Sequence, residues 1–188
     1  MGSRQWAVSS GFSLVETLVS LGLLTGALIS LAQLFAISTE SNLGSRTATY
    51  AVVLAQQKLE ELRALTYAFG DDGMPLTDFE SDTSASIETA TGGTGLSPSP
   101  ASSLDENAPG YVDHLDGFGT KLGAGPQPPG GAVYTRRWSI EPLPADPANV
   151  VVIQVLVTRQ GRAGVAPSTS SRVSADARLV TLRTRKAR

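Results

Sequence analysis

Apolar and polar residues fall into three regimes along this chain. After a short polar start, Leu18–Ile37 is a run of twenty residues without a charge. At helical rise such a run reaches ~30 Å, the thickness of a bilayer core, and predicts a membrane-spanning helix at about 17–37. From Tyr50 the pattern becomes amphipathic, with Ala51, Ala55, Leu59, Leu62 and Leu65 on one helical stripe. Lys58 and Glu61, and Glu60 and Arg63, stand three apart and are expected to pair on the wet face. The predicted helix covers 12–66 and ends in the glycine- and proline-containing stretch Phe69–Pro75. From Phe12 to Leu65 it would run ~80 Å, so beyond the bilayer something must cover its stripe.

The second regime, Thr77–Ala108, is rich in Ser, Thr, Gly, Pro and acids. It reads as a long, mobile loop within an acidic, low-complexity region, 67–131. Tyr111–Leu115 is a candidate short strand, Asp116–Gly119 a turn, and Pro126–Gly131 a linker. The third regime, 132–188, alternates as strands do. In Val133–Ile140, Tyr134, Arg136, Trp138 and Ile140 share one face. Val150–Arg159 is almost continuously apolar and β-branched and reads as a central strand buried on both faces. Val152 and Ile153 should then face opposite sides, at least one of them against Leu59 or Leu62. Gly161–Ser171 reads as a loop, and Ala177–Thr184 as the next strand. The predicted class is α+β: a long N-terminal helix packed through its amphipathic half on an antiparallel sheet of three to four strands.

Charge sharpens this division. Residues 68–131 carry ten acidic side chains and one basic one, whereas 132–188 carry ten basic and three acidic ones. Such blocks mark solvated surfaces or segments that lie against each other. With no cysteine, disulfides and thiolate metal sites are excluded. One histidine, His114, and no nucleophile motif leave nothing that points to an enzyme, and no cofactor or metal is expected. The leader 1–11 has Arg4 and the starting amine but no acid, which favours a cytoplasmic N-terminus with the C-terminal body periplasmic.

The junction of leader and helix reads Gly11-Phe12-Ser13-Leu14-Val15-Glu16. With the apolar run that follows, it resembles the type III signal of type IV prepilins and pseudopilins. The resemblance implies cleavage between Gly11 and Phe12 by a membrane peptidase, and N-methylation of Phe12. It also implies that Glu16 attracts the terminal amine of a neighbouring subunit during filament growth. The implied partners are a prepilin peptidase and methyltransferase, other pilins or pseudopilins, an inner-membrane assembly platform and lipid. Ala55–Arg63 is similar to the second helical half of PilV-like minor pilins and I-type pseudopilins. Many major pilins carry proline where this chain has Gln33, which fits a minor pilin or pseudopilin better. A minor pilin of a type IV pilus, a type II secretion pseudopilin and a signal-anchored periplasmic binding module all remain open.

Other candidates have plainer readings. Gly22 and Gly26 form a small-xxx-small pair suited to close helix packing in a bilayer. Asp71, Asp72, Asp113 and Asp116 are calcium-ligand candidates but lack EF-hand spacing and read as solvated turn residues. Trp138 reads as core. The basic tail Arg183–Arg188 lacks the aromatic interleaving of a nucleic-acid site and reads as a solvated end touching the acidic loop. Nucleic acid is therefore not an expected partner.

Overall fold

The computed structural model describes residues 13–84, 93–160 and 176–186. Its elements are α1 (Leu14–Ala64), β1 (Tyr67–Phe69), β2 (Pro75–Thr77), β3 (Val112–Leu115), β4 (Lys121–Gly123), β5 (Tyr134–Pro142), β6 (Val150–Arg159) and β7 (Ala177–Thr184). Contacts divide the chain into two units, Met1–Leu43 and Gly44–Arg188. In the first, every described side chain is exposed. The second is the body, where the upper half of α1 packs on an antiparallel sheet. The class is α+β, as expected from the pattern.

The sheet has five strands in the order β4-β3-β5-β6-β7, one or two more than the pattern predicted. The additional strand is β4, three residues that return from the Asp116–Gly119 turn to pair with β3. Its brevity leaves no alternation to detect. The turn itself is as expected. The Asp116 Oδ1 accepts the amides of Phe118 and Thr120, both at 2.8 Å, and Gly119 adopts φ 81°.

One face of the sheet carries Leu115, Tyr134, Trp138, Ile140, Val151, Ile153, Val155, Val157 and Ala177, which form a single core with Ala51, Leu54, Ala55, Leu59 and Leu62 of α1. Ile153 is fully buried in that core, and Val152 points to the opposite side. β6 is an inner strand paired on both edges, but the expectation that it is buried on both faces fails. β5 is the middle strand, and β6 alternates strictly between buried and part-exposed positions. The outer face of β6 and β7 is left open, with Val180 and Leu182 exposed. A run of β-branched residues reports strand propensity and does not by itself report what covers each face.

The region 67–131 is also more structured than its composition suggests. A hairpin, β1-β2, follows the helix, turning at Gly73 with φ 73°. Residues 93–111 run beside β5. The Ser99 amide donates to the Ile140 carbonyl at 2.9 Å, and the Trp138 amide to the Tyr111 carbonyl at 3.1 Å. Leu96 and Tyr111 are buried, and the Tyr111 hydroxyl donates to the Ser97 and Pro98 carbonyls. β3 covers only half of β5, so the remaining backbone groups need partners, and this stretch supplies them. The described part of Thr77–Ala108 holds no helix or strand beyond Thr77, and its residues 93–108 are anchored along β5. The Gly161–Ser171 loop assignment lies outside the described residues.

The basic tail closes the body. Arg183 donates to the Leu62 carbonyl at 2.8 Å and to the Leu65 carbonyl, which are orphan acceptors at the end of α1. Arg185 donates to the Ala68 and Leu76 carbonyls, both at 3.1 Å, and lies 4.2 Å from the Tyr67 ring centroid. These arginines bind backbone carbonyls of the helix end and hairpin, so the tail is not simply a solvated end, while Arg185 does touch the 67–131 region as expected. Replacing Arg183 by Ala should lower the stability of the body by about 1–2 kcal/mol, the cost of stripping charged donors from a helix end. Thermal unfolding of the detergent-extracted chain measures this, and an unchanged midpoint would show that the cap is dispensable.

Candidate functional site

Two places concentrate chemistry: the start of α1 and the interface between α1 and the sheet.

The first lies in a helix that is long and apolar enough to cross a membrane. Four of its hydroxyls are satisfied locally. Thr17, Thr25, Ser30 and Thr39 donate to the carbonyls of Leu14, Leu21, Gly26 and Phe35, at 2.7 to 2.9 Å. A helix that returns its hydroxyls to its own backbone presents little that needs water, as a bilayer requires. Glu16 stands in the first turn, exposed, with no hydrogen-bond or ion-pair partner among the described residues. It is the sole ionisable side chain between Ser13 and Thr39. Gly22 and Gly26 face open space, with no atom within 4 Å of a built Cβ, so a second helix could approach there. Gly11 and Phe12 lie outside the described residues.

The second place is a buried ionic cluster. Asp113 on β3 and Arg136 on β5 are register partners on the helix-facing side. The Arg136 guanidinium meets Asp113 Oδ2 through Nε at 3.2 Å and Nη2 at 2.6 Å, and also donates to the Leu54 carbonyl at 3.1 Å. From α1, Lys58 Nζ reaches the same Oδ2 at 3.1 Å and Glu61 at 3.0 Å, donates to the Thr83 carbonyl, and lies 4.0 Å from the Trp138 ring centroid. Lys58 and Asp113 are fully buried and Arg136 nearly so, whereas Glu61 is one-third exposed and also meets Lys121 at 3.5 Å. Burial pushes the Lys58 ammonium below its ordinary range, with Asp113 opposing that shift. Burial alone would raise the Asp113 carboxyl, but the charges of Lys58 and then Arg136 outweigh it and hold it below the usual carboxylate range. The Lys58 and Arg136 donors already point at acceptors, whereas the buried Trp138 Nε1 beside them has no partner among the described residues. What this arrangement does is lock the helix to the sheet.

Several expectations change here. The Lys58–Glu61 pair forms, but Lys58 lies inside the body, not on a wet face. The Glu60–Arg63 pair is exposed as expected, at 3.1 Å. Asp113 is a buried ion-pair partner, not a solvated turn residue. Asp72 accepts the Met74 amide at 3.0 Å, and Asp116 builds its own turn. Trp138 is fully buried core, as expected. The sequence reading passed over the cluster although one signal was present. Arg136 interrupts an otherwise apolar strand face, and Lys58 falls inside the helical stripe between Leu54 and Leu62. A charge on each of two facing apolar surfaces calls for a counter-charge between them.

Compared with known proteins, the chain matches no family model, no curated protein and no solved structure.

Proposed function

We propose that this chain is a structural subunit of the minor pilin kind, cut between Gly11 and Phe12 by a prepilin peptidase, methylated at Phe12 and assembled into a type IV pilus. The observation that carries the reading is Glu16, a carboxylate with no partner among the described residues, in the first turn of a helix whose N-terminal part is apolar and exposed. A carboxylate within a membrane helix is costly and is a functional candidate by default. The residues Gly11 to Glu16 place it four positions after the amine that cleavage would create. The body adds support, since its sheet packs on α1 from Ala51 onward, and every described side chain before Gly44 is exposed. On this reading the chain crosses the inner membrane once, with its body in the periplasm until it joins a filament. Its partners are the peptidase, the assembly platform and other pilins. A type II secretion pseudopilin would share each of these features.

N-terminal mass spectrometry of the membrane-extracted protein tests processing. The mature chain should begin at methylated Phe12. Gly11→Val should retain the leader, because the residue before the cut enters a tight site where a side chain would clash. A wild-type chain that keeps Met1 would instead support a signal-anchored module, and a Gly11→Val chain still trimmed to Phe12 would show that the cut site is misassigned.

A further inference from the structure

The flank of α1 within the body carries a shallow, open apolar groove of about 300 Å³ lined by Ser45, Arg46, Thr49, Tyr50 and Val53. Val53 is half-exposed there, and Val52 beside it is also exposed. Arg46 is the sole charge between Glu40 and Lys58, and it has no ion-pair or hydrogen-bond partner among the described residues. Close by, the Asp116–Gly119 turn is pressed on the same helix. A Cβ at Gly119 would come within 2.9 Å of both the Tyr50 hydroxyl and a Leu54 methyl, so the turn sits close on the helix, and the φ of 81° there favours glycine. The two amide bonds to Asp116 and the φ of 81° at Gly119 make the turn rigid. At its tip Phe118 is 90% exposed, more than any other large apolar residue described. An aromatic held out on a rigid turn loses little entropy on docking and resembles an interface anchor.

We propose that the Phe118 turn of one copy docks on the Ser45–Val53 flank of a second copy of this chain. Three observations select a second copy as the occupant. The surface offers both an apolar projection and an apolar groove. Their flanking charges are opposite, Asp116 beside Phe118 and Arg46 in the groove, so the match is electrostatic as well as steric. Both features adjoin Tyr50 and therefore stand at the same level of the body. Anchoring in one bilayer keeps copies of the chain close to each other. The membrane also raises their effective concentration, so a contact smaller than a standard interface suffices. The proposal rests on membrane anchoring and does not require that the copies form a filament.

The absence of native cysteine makes the contact directly testable. Gly117 has room for a side chain, with only a Val133 methyl at 3.9 Å, and Thr49 lines the groove and is exposed. Copies carrying Gly117→Cys and Thr49→Cys, with different tags, are expressed together in their membrane and oxidised mildly. A mixed disulfide should form, about tenfold above that of Gly117→Cys with Ala145→Cys on an exposed loop, as expected for an anchor of ordinary strength. Phe118→Ala in the first copy, or Arg46→Glu in the second, should return it to that background. Phe118 is too exposed for its loss to affect folding, which an unchanged thermal midpoint confirms. A mixed disulfide no more abundant than the Ala145 control, or one unmoved by both substitutions, overturns the contact. Recovery of the tagged wild type outside the membrane fraction overturns the anchoring on which it rests.

Discussion

Asp113→Asn is expected to unfold the body or bring it to the edge of unfolding. The substitution preserves shape and removes one negative charge. That charge is the fully buried counter-ion of Lys58 and Arg136, which approach the same carboxylate oxygen at 3.1 and 2.6 Å. Without it two cations face each other across the core, with only the part-exposed Glu61 nearby. Breaking a buried ion pair by removing one partner costs about 3–5 kcal/mol, because the remaining charge stays desolvated. Small domains have only about 5–15 kcal/mol in total, so the loss is a large share. The companion substitution Lys58→Met should cost much less, since Arg136 still neutralises Asp113. Adding Lys58→Met to Asp113→Asn should then recover part of the loss, as coupled neighbours do. Chemical denaturation of the detergent-extracted chain, followed by near-ultraviolet circular dichroism, measures all three variants. A mild effect of Asp113→Asn with no rescue would mean that the cluster does not hold the fold.

The same residue sets an acid limit. Its folded-state carboxyl lies below the ordinary value of 3.8, despite burial, because of Lys58 and Arg136. A carboxyl depressed on folding binds fewer protons in the folded state than in the unfolded one through that window. The stability it contributes is therefore present above pH 3.8 and lost as pH falls through the lower folded value. Asp113 should therefore contribute to the acid limb of a stability profile.

What could be read from the sequence, and what could not, follows from the range over which each signal acts. The helix was legible because the charge-free run and the 51-to-65 stripe are local and periodic. It ends at Ala64, two residues before the predicted limit, since the terminus depends on Arg183, more than a hundred residues away. β5 and β7 were legible by alternation, and the Asp116–Gly119 turn by its residue types. β4 was too short to show a period. The packing of residues 93–111 was hidden because composition reports average hydrophobicity, whereas the anchoring comes from two residues, Leu96 and Tyr111, and from the unpaired edge of β5. The ionic cluster needed three elements brought together, and no one of its charges is unusual alone. Glu16 was conspicuous for the opposite reason, being the only charge in a long local run. Phe118 was noted only as part of a turn, because exposure is not a property of sequence.

Glu16→Gln should leave membrane insertion and leader removal intact and sharply reduce recovery of the protein in filaments. The substitution preserves shape and hydrogen bonding but removes the negative charge. Insertion is driven by the apolar run, which is unchanged, and cleavage on the proposed reading depends on Gly11 and that run. What changes is the interaction available after cleavage. In a monomer, Glu16 has no partner among the described residues and must rely on water at the bilayer edge or on its own terminus. On the proposed reading, the Phe12 amine of a neighbour in a filament would supply an opposite charge in a medium of low dielectric, where such a pair counts for far more than in water. The subunit therefore gains stability on joining, and a glutamine removes that gain. A loss of ~1.4 kcal/mol per contact lowers the equilibrium for adding a subunit about tenfold. Fractionation of both variants from the native host into membrane and sheared-filament pools reads the difference. Equal filament recovery would remove Glu16 from the mechanism. If filaments form but the wild-type chain is absent from them, the protein is a membrane-anchored module, and the charge at Glu16 serves something other than assembly.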